Sequence, residues 1–237
     1  MKKLSLLLLT ILFCGLASVY AQDDLFWPPD YRQIGRNVQD PGSTLYFPRL
    51  MERYRAGDPT LSLHEGRHLY FGFVFQPEFT AADTSPYNQL LVNVLRRQTL
   101  TDQDYSDILR FSQALLQEDP FNLRALEAQL IALAHFQNME EYSRVSWQRR
   151  TVILAITSTG NGMSADSPFF VTRAAHQFDI LPFLGFSFGG NVYMVRNRGI
   201  LALFSRNRNT VNALSLDANP FGLDKIYFDI TPMMRRM

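Results

Sequence analysis

The sequence predicts an α+β protein, in which antiparallel pairs of helices precede a small, antiparallel β-containing part. Apolar residues recur at helical spacing, between start and stop signals, from residue 45 to residue 157. Beyond residue 157, short runs of β-branched and aromatic residues alternate with polar ones. We therefore divide the chain into a signal peptide (1–21), an irregular leader (22–44), a helical domain (45–157) and an α+β C-terminal part (158–237).

The first 21 residues have the pattern of a cleavable secretory signal peptide. Lys2 and Lys3 precede an apolar run over residues 4–16, and Val19 and Ala21 supply the small side chains that a signal peptidase recognises. The apolar run is shorter than the about 20 residues that a membrane-spanning helix needs. We expect cleavage after Ala21, no stable membrane insertion of the mature chain, and a periplasmic or extracellular location.

The only cysteine is Cys14, inside this segment. It follows Leu12 and Phe13, where lipoprotein cleavage needs small residues, so we expect no lipid anchor. Cleavage removes Cys14 and thereby excludes disulfides, a thiol nucleophile and cysteine-ligated metals from the mature chain. Removing 21 of 237 residues leaves 216, and the loss of two lysines changes the net charge from +1 to −1. This balance argues against a nucleic-acid partner.

The leader is rich in proline, aspartate and glycine, and no helical or strand period is sustained in it. Six helices are predicted after it, over residues 45–56, 62–75, 85–97, 101–119, 122–136 and 139–155. Local signals bound several of them: Gly57 and Pro59 stop the first, Ser62 and Glu65 match a capping box, and Ser85 is a candidate cap. The short connections favour antiparallel neighbours.

The helices between Tyr105 and Trp147 resemble one unit of a tetratricopeptide array. A helix ends at Asp119 and Pro120, an alanine-rich helix follows, and a short turn leads to a third helix. The sequence shows no convincing second copy at the period of about 34 residues. An ordinary helical bundle explains the pattern nearly as well, so a tetratricopeptide-like array and a bundle both stay open.

Strands are predicted over residues 169–172, 192–195, 200–204 and 226–230, with a short helix over residues 176–184. In the second and the last of these strands, neighbouring side chains alternate with a period of two. Such alternation is expected when one face of a sheet is buried.

Residues 64–68 form the string H-E-x-x-H. On a helix, His64 and His68 would lie one turn apart on one face, as zinc ligands do, with Glu65 as the general base. The nearest additional carboxylate, Glu78, lies beyond the predicted helix end, and no third ligand is obvious. Glu65 also has a competing role in the capping box at Ser62.

Four arginines surround a predicted hairpin and the loop after it: Arg196, Arg198, Arg206 and Arg208. Arginine side chains of this kind bind anionic groups such as a carboxylate or a sulfate. The alternative is that they only solvate the ends of strands.

Four runs carry a resemblance to a known family: YFPRLMERYRAGD over residues 46–58, RHLYFG over 67–72, TGNG over 159–162 and IYFDI over 226–230. In this combination and order, the chain resembles an uncharacterised family of exported proteins from Bacteroidetes-type bacteria, a domain of unknown function. The resemblance implies an extracytoplasmic setting and no catalytic role. It also implies an acidic residue at the position of His64, which argues against a zinc site.

Two functional hypotheses follow. The preferred one is a non-enzymatic interaction or accessory protein that needs no cofactor, with paired helices presenting a surface to a protein or peptide partner. The alternative is a zinc-dependent hydrolase built on His64, Glu65 and His68.

Overall fold

The computed structural model describes residues 26–80, 85–196 and 210–231. The predicted signal peptide and the strand predicted over residues 200–204 lie outside these ranges. Among the described helices, none combines the length and the apolar character that crossing a membrane requires.

Eight α-helices occur in the described residues: α1 (Tyr31–Gln39), α2 (Phe47–Arg55), α3 (Leu63–Gly72), α4 (Pro86–Leu95), α5 (Asp102–Glu118), α6 (Leu123–His135), α7 (Met139–Thr157) and α8 (His176–Asp179). A 3₁₀ turn, Phe73–Phe75, extends α3, and another, Leu181–Leu184, follows α8. The six long helices predicted from residue 45 onward are all present, with small shifts at their ends.

The prediction of an irregular leader is wrong over residues 31–39, which form α1. The Asp30 carboxylate caps this helix, because its Oδ1 accepts hydrogen bonds of 3.0 Å from the backbone N–H groups of Arg32 and Gln33. Ile34 and Val38 are buried on the face that packs against α3. Two apolar residues four apart are too few for a helical period to stand out in the sequence.

The capping box predicted at Ser62 is present at the start of α3. Ser62 Oγ accepts from the N–H of Glu65 at 3.3 Å, and the Glu65 carboxylate accepts from the N–H of Ser62 at 2.8 Å. A second capping box opens α5. Ser85 is different, because its hydroxyl makes no capping hydrogen bond in α4 and instead donates to a glutamate at the end of α5 at 3.0 Å.

Helices α4, α5, α6 and α7 pack on one another in chain order, and their short connections make neighbours antiparallel. Helix α3 packs against α1, α2 and α7. Gly57 ends α2 with a left-handed φ of 67°, and a Cβ at this position would lie 2.8 Å from Cα of Arg144. Only glycine lets α2 approach α7 this closely. The tetratricopeptide-like interpretation stays a prediction, because a bundle can have the same order of neighbours.

Four strands form one mixed sheet in the order β1-β4-β3-β2: β1 (Phe169–Phe170), β2 (Phe188–Arg196), β3 (Thr210–Leu216) and β4 (Lys225–Asp229). Strands β2, β3 and β4 pair antiparallel, the arrangement predicted for this part, although no strand was predicted at β3. Strand β1 departs from the predicted antiparallel arrangement, because it pairs with β4 in parallel, with Phe169 opposite Phe228. Because these strands are far apart in sequence, no hairpin forces them to run in opposite directions.

The alternation predicted for the strands holds only in part. In β4, Ile226 and Phe228 are buried as expected, although Asp229, the last residue of the strand and predicted on the other face, is buried too. In β2 the prediction of one buried face is wrong, since three consecutive residues are exposed by 46%, 46% and 68%: Val192, Tyr193 and Met194. In the described sheet β2 is an edge strand, with β3 as its one neighbour.

One hydrophobic cluster joins the helices to the sheet. Phe121 and Leu126 belong to the same buried cluster as Phe169, Leu214 and Phe228. A second cluster lies between α4, α5 and α6. The division into a helical domain and a C-terminal part stays a prediction, but the shared cluster shows that the two parts bury apolar surface against each other.

Candidate functional site

The H-E-x-x-H string lies on α3, with its two histidines on adjacent turns. The ring centroids of His64 and His68 are 4.4 Å apart, and His64 is exposed whereas His68 is only 5% exposed. The carboxylate of Glu65 is held by Ser62, whose N–H and Oγ donate at 2.8 and 2.7 Å, and by the guanidinium of Arg53. Burial alone would raise the pKa of Glu65, but these hydrogen bonds outweigh it and hold that pKa below its ordinary value.

Both ring nitrogens of His68 are occupied within the fold. Nδ1 lies 2.9 Å from the backbone oxygen of His64 and must donate to it, which leaves Nε2 to accept from the Asn37 amide at 3.1 Å. Burial lowers the pKa of His68, which agrees with this neutral form. Among the described residues, no group of three or more histidine, cysteine, aspartate or glutamate side chains could hold a metal ion. The geometry therefore gives the zinc hypothesis no support.

The predicted arginine group cannot be assembled from the described residues. Arg196 is the last residue of β2, whereas Arg198, Arg206 and Arg208 lie outside the described ranges. Anion binding by these four residues stays a prediction.

A cleft of about 540 Å³ lies between the C-terminal end of α2 and the helices α5, α6 and α7. Six long polar side chains line it: Arg55, Gln113, Gln117, Gln129, Arg144 and Gln148. Tyr54, Leu116 and Pro120 contribute apolar wall. Sequence reasoning missed this cleft, since its residues come from distant segments. The one local signal was the pair Gln113 and Gln117, one turn apart on α5.

Several lining groups hold the walls of the cleft together. The Tyr54 hydroxyl donates to the backbone oxygen of Pro120 at 2.9 Å, and burial raises the pKa of Tyr54, so this proton is retained. The Gln148 amide donates to the backbone oxygens of Tyr54 and Arg55 at 3.1 and 3.2 Å. Arg144 reaches the same end of α2, donating to the Arg55 oxygen at 3.3 Å. These bonds satisfy the carbonyls at the end of α2 and fix the width of the cleft.

Other lining groups are unused by the fold. Gln129 is only 5% exposed, yet its amide makes no hydrogen bond with a described residue. The exposed side chains of Gln113, Gln117 and Arg55 likewise have no partner among the described residues. The cleft thus offers amide donors and acceptors and one uncommitted guanidinium to a ligand.

A separate polar network is buried where the helices meet the C-terminal part. Tyr70 Oη lies 2.7 Å from His176 Nδ1 and accepts from the N–H of Thr172 at 3.2 Å. Burial raises the pKa of Tyr70, so the hydroxyl stays protonated and donates to Nδ1. His176 then carries its proton on Nε2, which faces Asp119 Oδ2 at 3.7 Å, while Arg173 pairs with the same oxygen at 2.9 Å. Since every member is at most 5% exposed, we assign this network a structural role.

The chain matches one known protein family over most of its length. The model of a family described as a domain of unknown function, DUF4919, matches residues 32–237. The chain belongs to this family. No curated protein and no solved structure is significantly similar to it.

The DUF4919 match extends from α1 to β4, so it includes the helices and the sheet alike. The expected membership of a family of unknown function is thereby confirmed. The bacterial origin, and the expectation that the four sequence runs are characteristic of the family, stay predictions. Because the description of DUF4919 states no activity, it assigns no role to any residue. The candidate site rests on the geometry of the cleft.

Proposed function

We propose that this chain is an exported interaction or accessory protein without catalytic activity, whose helical part binds a protein or peptide partner. The single observation that carries the proposal is the cleft between α2, α5, α6 and α7. Its volume of about 540 Å³ falls within the range of roughly 300–1,000 Å³ that is usual for ligand sites. Its polar side chains converge on the space from three helices and from the end of a fourth.

Export is supported by the pattern of residues 1–21, with its two lysines, apolar run and small residues before the expected cut. The absence of catalysis is supported by the way the only metalloprotease-like string is used. Glu65 caps α3, and both nitrogens of His68 bond to groups of the fold. A general base and a zinc ligand would each need those lone pairs for the reaction.

Site-specific photo-crosslinking tests the proposed surface. A benzophenone amino acid replaces Gln117, which is exposed and lines the cleft, in the chain expressed with its N-terminal segment in its own host. We expect a discrete cross-linked product with a second protein, which mass spectrometry of the product then identifies.

The matched control places the same benzophenone at Met163, which is 62% exposed and lies in the loop before β1. A partner bound in the cleft should cross-link to position 117 and not to position 163. Identical products at both positions, or no product at position 117, would contradict a partner in the cleft.

A further inference from the structure

The partner class can be inferred from the unused groups of the cleft, an inference that rests on the proposed function. We propose that the cleft binds an extended, acidic peptide segment of another protein, with carboxylate side chains facing Arg55 and backbone groups bound by the glutamines. The strongest single indication is Gln129. The residue is only 5% exposed, and its amide lines the cleft without a hydrogen-bonding partner among the described residues. An amide that is held in place by its surroundings but not bonded to them is free to bind a ligand group in the cleft.

The glutamines suit a peptide backbone in chemistry and in spacing. A glutamine amide has two N–H donors and one carbonyl acceptor, which complement the C=O and N–H of a peptide unit. Gln113 and Gln117 are one helical turn apart, a rise of about 6 Å along α5. An extended chain repeats its orientation every two residues, about 6.6 Å. The two amides can therefore bind alternate peptide units of one extended strand.

The charges of the cleft favour carboxylates in the ligand. Both ionisable groups that line it besides Tyr54 are arginines, Arg55 and Arg144, and no aspartate or glutamate lines it among the described residues. Arg144 is partly neutralised, because its Nε donates to Glu141 at 2.9 Å. The guanidinium of Arg55 has no ion-pair partner in the described part of the chain. It is therefore the group that would bind a carboxylate in a bidentate manner.

The proposal is tested by fluorescence polarisation with the mature protein that begins at Gln22. The probes are two pools of hexapeptides that are dye-labelled at the N-terminus and amidated at the C-terminus. One pool carries aspartate or glutamate at the second and fourth positions, and the other carries asparagine or glutamine there. We expect the acidic pool to bind at least about ten-fold more tightly, the effect of roughly one charge-assisted pair.

Two variants assign the binding groups. Arg55→Gln should bring the affinity for the acidic pool down to that for the amide pool, whereas Arg36→Gln, on the exposed face of α1, should change neither affinity. Gln129→Leu should weaken binding of both pools without lowering the melting temperature, because the amide bonds to no group in the described part of the chain. A marked drop in the melting temperature of Gln129→Leu would show a structural amide and overturn its role in binding.

The remaining outcomes separate this proposal from the proposed function. Equal binding of both pools, insensitive to Arg55→Gln, overturns the acidic specificity. A third pool, the amide pool with a free C-terminal carboxylate, tests the source of the charge, and binding by this pool alone overturns the side-chain source. If neither pool binds while the benzophenone at position 117 still cross-links a protein, the peptide class is wrong and the proposed function stands. If both experiments are negative, both proposals fail.

Discussion

The carboxylate of Glu65 is held by the first turn of α3 and by Arg53, and these bonds fix its chemistry. A metalloprotease glutamate works as a base beside a metal-bound water. A capping glutamate stays ionised and bonds to backbone N–H groups. The lowered pKa of Glu65 and its bonds to Ser62 correspond to the second role. At residue scale, the sequence contained both patterns, and hydrogen-bonding geometry decides between them.

His68 leads to a prediction about pH. Burial holds its pKa below the ordinary value of about 6.5. Above that pH, His68 is neutral in both the folded and the unfolded chain. As the pH falls below it, the unfolded chain takes up a proton first, so the folded state loses stability. We expect the free energy of unfolding in urea to fall between pH 7 and pH 5, and to fall less in His68→Gln than in the unchanged protein.

His64→Gln provides the control for this experiment, because His64 is exposed on the same helix. Its dependence on pH should stay close to that of the unchanged protein. If His68→Gln and the unchanged protein show the same slope, His68 is not the group that titrates, and its assigned neutral form is wrong.

At the scale of elements, hydrogen-bonded caps explain why the helix starts could be predicted. The side chains that satisfy the first N–H groups of α3, α5, α6 and α7 are short-range partners, so their identities are visible in the sequence.

Helix α1 was missed because only Ile34 and Val38 mark its buried face. Strand β3 was missed although Val211, Ala213 and Leu214 are buried. Leu214 is buried in the cluster that the sheet shares with the helices, a tertiary contact that no local pattern encodes.

Ser62 and Ser85 separate real from apparent caps. Ser62→Ala removes the capping box of α3 and should lower the free energy of unfolding by about 0.5–2 kcal/mol. Ser85→Ala should change it by less than about 0.5 kcal/mol, because within the described residues the Ser85 hydroxyl makes one exposed bond, to the end of α5. Chemical denaturation of both variants measures the difference. Equal losses would mean that Ser85 caps α4 in solution after all.

At the scale of the molecule, the fold class was predictable and the candidate site was not. Helical and strand periods are local, and they were enough to predict an α+β fold in which helical patterns give way to strand patterns near residue 157. The cleft depends on side chains from residue 54 to residue 148 that meet only after α2 packs against α7. Gly57 illustrates this limit. The sequence identified it as a helix stop, but only the structure shows that its lack of a side chain leaves room for Arg144 of α7.

Export is the last prediction at this scale, and processing of the N-terminus tests it directly. We expect the protein recovered from the periplasm or the medium to begin at Gln22, as determined by intact mass and N-terminal sequencing. Ala21→Arg should block cleavage, because a bulky charged side chain replaces the small residue before the cut. Cys14→Ala should leave the mature N-terminus unchanged, because we expect no lipid on that cysteine. A mature chain that begins with acylated Cys14, or one that retains Met1 in the cytoplasm, would show that the proposed route is wrong.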